Sequence, residues 1–105
     1  MIDEHEWRSV LQVAKDGTFS AAAKHLYISQ PSLSQCIKKV ETELGVRLFD
    51  RSQTPLALTP AGTIYVRQAK EILRIQQSLV QEVADLSELR TGSLTIGSSR
   101  TRTAC

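Results

Sequence analysis

Between Ser29 and Lys39 the chain reads SQPSLSQCIKK, a stretch that carries short hydroxyls (Ser29, Ser32, Ser34), primary amides (Gln30, Gln35) and ammonium groups (Lys38, Lys39). None of these groups is an acid or base poised near neutral pH, and none is an activated nucleophile. Their common property is hydrogen bonding at short reach. A carboxamide offers a donor and an acceptor side by side, which matches the edge of a base, and an ammonium suits a phosphate. The chemistry implied is recognition of a nucleic-acid duplex rather than bond making or breaking.

The elements needed to present such a set can be read on either side of it. Trp7, Val10, Leu11 and Ala14 recur at helical spacing in a first helix over Asp3–Lys15, closed by Asp16-Gly17. Phe19-Ser20 then opens a second helix that runs to about Leu26, with Ser20 as its expected N-cap. Gln30 or Pro31 starts a third helix, capped by Ser29 or Gln30, where proline lacks only an N–H that would be unpaired anyway. Leu33, Ile37, Val40 and Leu44 form its apolar stripe. At about 100° per residue, Pro31, Gln35, Lys38 and Thr42 fall on the opposite side, with Ser34 and Lys39 on the flanks. The stripe is expected to face the first two helices, leaving the polar side to a partner.

After Gly45, Val46–Arg51 and Leu56–Leu58 read as two short strands around the turn Ser52-Gln53-Thr54-Pro55, a small hairpin. Thr59-Pro60 then caps a helix that runs to about Leu89 without an interior proline or a glycine beyond its first turn. Tyr65, Ala69, Ile72, Ile75, Leu79, Val83, Leu86 and Leu89 repeat at threes and fours along it. About 30 residues of helix reach roughly 45 Å, more than a small domain can cover, so the expected partner of this seam is the same helix of a second copy. The competing reading folds the helix over its own domain. Beyond Arg90-Thr91-Gly92, Ser93–Gly97 alternates like a strand, and a lone strand requires neighbours.

Charge supports the same partner. Residues 1–23 carry a net of −2, residues 24–74 a net of +4, and residues 75–105 balance, for a total of +2. A basic middle segment suits a polyanion, because each neutralised phosphate releases condensed counterions. The two cysteines, Cys36 and Cys105, match neither a disulfide framework nor a metal-ligand spacing. The N-terminus is acidic and interrupted by charge, unlike a signal peptide. No apolar run approaches the ~18 residues of a membrane span. A reduced, cytoplasmic protein is expected, without cofactor, metal or membrane partner. No nucleophile–base–orienter set or phosphate-binding loop is legible, so no enzyme is expected.

The motifs AAAKHLYISQPSLSQCIKKVETELGVRLFDR, LTPAG and TGSLTIG together resemble the N-terminal part of LysR-type transcriptional regulators over about residues 2–97. The resemblance implies a mainly α fold: a winged helix-turn-helix of three helices and a short β-hairpin over 1–59, and a dimerisation linker helix over 60–90. Residues 91–105 would begin a truncated effector-binding domain. It implies a homodimer reading an inverted-repeat DNA operator, with tetramers in the full-length protein and a small-molecule co-inducer held only by the missing domain. Carried over by position, base reading falls on Gln30, Pro31, Ser34 and Gln35, and phosphate contact on Lys38, Ser20 and the wing residue Arg51. Gln35 stands where many members have arginine, which favours adenine N6/N7 over guanine O6/N7. Thr54 stands where many have a second wing arginine, which implies a weaker minor-groove contact.

The rival function is a coiled-coil adaptor in which the long seam matters and the basic face does not. Several single residues have plain structural expectations. Cys36 is a small hydrophobe beside the apolar stripe rather than a redox switch. His5 and His25 are ordinary solvent-facing histidines. Trp7 and Phe19 belong to the core, and Tyr27 packs or touches a phosphate.

Overall fold

The computed structural model describes residues 3–91, which form α1 (Glu4–Asp16), α2 (Phe19–Leu26), α3 (Gln30–Leu44), β1 (Phe49–Asp50), β2 (Ala57–Leu58) and α4 (Pro60–Thr91). The expected strand at 93–97 and Cys105 lie outside the described residues, as does the side chain of Leu89. Residues through Lys70 make one compact unit, and a second begins at Glu71.

Local chemistry sets the helix boundaries. Asp3 caps α1 by accepting from the His5 N–H at 3.0 Å, and Gly17 closes it in the left-handed region at φ 80°. Thr18, not Ser20, caps α2: its Oγ1 accepts from the Ala21 N–H at 3.1 Å. Both residues can cap, and Phe19 decides between them. It lies inside the first turn and its ring meets Phe49 edge-on, with centroids 6.4 Å apart. Ser29 caps α3 by accepting from the Ser32 N–H at 3.2 Å, Pro31 sits in the first turn, and Gly45 ends the helix in the left-handed region.

Val10 and Val13 of α1, Ala22 and Ala23 of α2, and Leu33, Ile37 and Val40 of α3 close on one another with Leu48, Phe49 and Val66. Leu33 and Ile37 are wholly buried, and truncating either to alanine costs about 2–5 kcal/mol. Leu44, expected to extend the stripe, is 46% exposed because it lies in the last turn, past the helices that cover the others. Trp7 is buried, and Phe19 packs partly buried against the core.

The hairpin pairs Phe49 with Leu58 and Asp50 with Ala57 in antiparallel register. It is fastened at both ends. The Leu56 N–H donates to the Gly17 carbonyl at 2.8 Å, and the Thr59 N–H donates to the Leu48 carbonyl at 3.0 Å. Thr59 Oγ1 donates to the Arg47 carbonyl at 2.6 Å and accepts from the Gly62 N–H at 3.0 Å, which caps α4. Gly62 is required here by crowding: a β-carbon would overlap the Leu48 carbonyl. Among the described residues no helix is long and apolar enough to cross a membrane.

Candidate nucleic-acid interface

α3 buries Leu33, Ile37 and Val40 and leaves Gln30, Pro31, Ser32, Ser34, Gln35, Lys38 and Lys39 exposed. These outward residues divide by what they already hold. Ser29 Oγ donates to Ser32 Oγ at 2.9 Å, so these two hydroxyls organise the first turn. Gln30, Ser34, Gln35 and Lys38 make no side-chain hydrogen bond or ion pair among the described residues. Their donors and acceptors face only solvent. On α2, Ser20 is also exposed, and with Thr18 as the cap its hydroxyl is left open.

Lys39 differs from Lys38. Its ammonium lies 3.3 Å from Glu6, a carboxylate whose residue is 4% exposed on α1, and that contact raises the lysine pKa. Lys39 therefore answers a nearly buried charge and belongs to the joint between α1 and α3. Sequence spacing placed it on a flank of the polar face but gave no sign of Glu6.

The wing shows a second such commitment. Glu41, 8% exposed, accepts from the Leu48 N–H at 2.7 Å through Oε2 and from Arg51 at 3.3 Å through Oε1. The Arg51 guanidinium also lies over the Phe19 ring, 5.2 Å from its centroid. Arg51 thus latches the hairpin to α2 and α3, with about a third of its side chain exposed at 32%. A groove between α3 and the segment leading into the hairpin is lined by Ser34, Lys38, Arg47, Arg51 and Glu41, among others. Glu41 is already engaged, so the open character of this groove is cationic. Arg47 was counted in the basic middle segment but not singled out. Its signal was its place between Gly45 and the apolar pair Leu48-Phe49, where an exposed arginine has no packing role. Thr54 is exposed in the hairpin turn.

The structure places three other single residues. His25 is not simply solvated: its Nδ1 lies 2.8 Å from Asp16 Oδ2, and that contact, with Gln12, holds the Asp16 carboxyl below its usual range. Tyr27 does not pack; it is 94% exposed. Cys36 is half-buried, and burial pushes its thiol pKa up, which suits a small apolar filler.

The seam of α4 changes character along its length. Ala69 is 2% exposed in the single chain and Tyr65 packs against the core, with burial raising the phenol pKa to about 12. Of these two expected interface positions, Ala69 is covered within the single chain and Tyr65 is partly covered, since the first turns of α4 lie within the compact unit. From Ile72 the apolar side chains are open: Ile72 39%, Ile75 57%, Leu79 61%, Val83 58% and Leu86 57% exposed.

Three helices around one core, a hairpin fastened beside the third, and an outward polar face on that helix define a winged helix-turn-helix protein. Residues 5–63 match the family model described as bacterial regulatory helix-turn-helix protein, lysR family, and the chain belongs to that family. It is 43% identical over 86 residues to the HTH-type transcriptional regulator YcgK of Bacillus subtilis (strain 168), covering 82% of this chain and 26% of that one. It is 38% identical over 99 residues to the regulator BsdA of the same organism, covering 93% and 34%. The chain therefore spans about a third or less of the length of these relatives. Among solved structures, the BenM DNA-binding domain in complex with benA site 1 DNA superposes with a TM-score of 0.78 at 29% identity, covering 82% of this chain and 97% of that one. DarR of Vibrio fischeri in complex with DNA gives 0.75 at 29% identity, covering 85% and 30%.

Proposed function

We propose that this chain is the DNA-reading part of a LysR-type transcriptional regulator and binds double-stranded DNA sequence-specifically as a homodimer in the cytoplasm. The observation that carries the reading is the outward side of α3, where Gln30, Ser34 and Gln35 stand exposed and unpartnered on a helix anchored by three buried aliphatic residues. A major groove admits one helix, and the first turns of α3 would face base edges there. Pro31 sets the start of that helix. Lys38, Arg47, Ser20 and the exposed edge of Arg51 would meet phosphates, which fix register without reading sequence. Thr54, an uncharged wing tip, would leave the minor groove with a weak contact.

Residues 1–59 form the DNA-binding domain in this reading, and 60–90 the linker helix. The open stripe from Ile72 to Leu86 is offered to a second copy, with Leu89 next in the sequence repeat. Two-fold pairing of the domains implies an inverted repeat, since the operator must share the symmetry of its reader. A tetramer and a co-inducer would belong to a full-length protein whose effector-binding domain begins within residues 91–105. The adaptor reading accounts for the α4 stripe but gives the open amides and the Lys38 ammonium of α3 no task.

Anisotropy titration of the chain on duplexes selected from a random pool tests the proposal. Binding that weakens steeply with salt, on a selected sequence with two-fold symmetry, is the expected result. Absence of binding at low salt, or equal affinity for every duplex, would overturn it.

A further inference from the structure

Tyr27 stands apart in its backbone. Among the described residues it alone, other than glycine, has a positive φ: 59°, with ψ 40°, in the left-handed region. It caps the C-terminus of α2, its N–H donating to the Lys24 carbonyl at 3.2 Å. The equivalent caps of α1 and α3 are Gly17 and Gly45, which carry no β-carbon and meet no steric cost there. A tyrosine does meet that cost. Aromatic residues held in such a conformation commonly recover it by packing, yet this ring is 94% exposed and its hydroxyl has no partner among the described residues. The fold gains nothing from a tyrosine here. An observed backbone outlier without a packing reason points to a task outside the fold.

Its location suggests the task. Tyr27 lies two residues before Ser29, the N-cap of α3, at the corner from which the exposed polar face departs. In a helix-turn-helix the first helix of the pair crosses the phosphate backbone while the second enters the groove, so their corner lies beside the backbone. A phenol is a neutral donor of the kind phosphate oxygens accept. We propose that Tyr27 is a DNA-positioning residue whose hydroxyl donates to a non-bridging phosphate oxygen at the edge of the half-site, setting how deeply α3 enters the groove. The proposal rests on the duplex-reading function above.

The test uses Tyr27→Phe and Tyr27→Gly in the 105-residue chain, with thermal melting and anisotropy titrations on a selected and a scrambled duplex over a range of salt. Tyr27→Phe keeps the melting midpoint and weakens both duplexes by a similar factor, about tenfold for a hydrogen bond to a charged group. Its salt slope matches that of the parent, because no cation has been removed. Tyr27→Gly holds or raises the midpoint and binds no better than Tyr27→Phe. Parent-like affinity of Tyr27→Phe, a loss confined to the selected duplex, or a midpoint lowered in Tyr27→Gly would each overturn the assignment. A parent chain that binds no duplex would instead remove the function beneath it, a result distinguishable from all of these.

Discussion

Among the described residues two helical faces are left open, and they differ in kind. The outward side of α3 carries amides, hydroxyls and an ammonium around Gln30, Ser34, Gln35 and Lys38. The second half of α4 carries Ile75, Leu79, Val83 and Leu86, each more than half exposed. Water satisfies the first face, so a partner must replace each hydrogen bond in kind, and the gain depends on matching and on salt. Water is a poor solvent for the second face, so any apolar surface of the right shape improves on it. In the proposed function both would be interfaces, and their chemistry would separate a polyanion from a copy of the same helix.

The sharpest way to break this contrast is Leu79→Glu. Removing two leucines from a symmetric seam loses about 3–6 kcal/mol of burial, so the dimer dissociation constant should rise about 100-fold or more. Sedimentation velocity reads the change, and an unaltered dimer would mean that the stripe packs elsewhere. Gln35→Ala comes next, with a loss of about 1–3 kcal/mol at one base step and almost none on random duplex. Competition titrations with single-step operator variants resolve it. Lys38→Ala and Arg47→Ala should weaken all duplexes alike and lower the salt slope by about one unit each. A slope that stays the same would take that residue out of the phosphate set. The smallest effect concerns where the domain ends and the seam begins. Because Tyr65 holds its proton to about 12 when folded and to about 10 when unfolded, its contribution to stability is complete below pH 10 and is lost as pH rises toward 12. Ultraviolet titration should show a step near pH 12 that Tyr65→Phe removes.

Periodicity made the frame legible. Leu33, Ile37 and Val40 could be assigned to the core because one stripe at threes and fours permits little else, and Gly17 and Gly45 could be read as helix ends. Partners brought together by helix crossing could not. Lys39 and Glu6 are far apart in sequence, as are Arg51 and Phe19, and only the packing of α1 on α3 and of the hairpin on α2 makes them neighbours. The same limit explains Tyr65 and Ala69. A heptad pattern records that a residue is apolar on one face, but not whether its own domain or another chain covers it. Ser20 was expected to cap α2, and the cap falls instead on Thr18 because Phe19 packs inside the first turn.

One junction has a mechanical consequence. Gly62 lies so close to the Leu48 carbonyl that no β-carbon fits between them, and Thr59 and Glu41 bind the same short segment from either side. The root of α4 and the base of the hairpin therefore turn as a single lever. A rotation of the first turns of α4 must carry the base of the hairpin with it, because the contact at Gly62 leaves no gap to take up the movement.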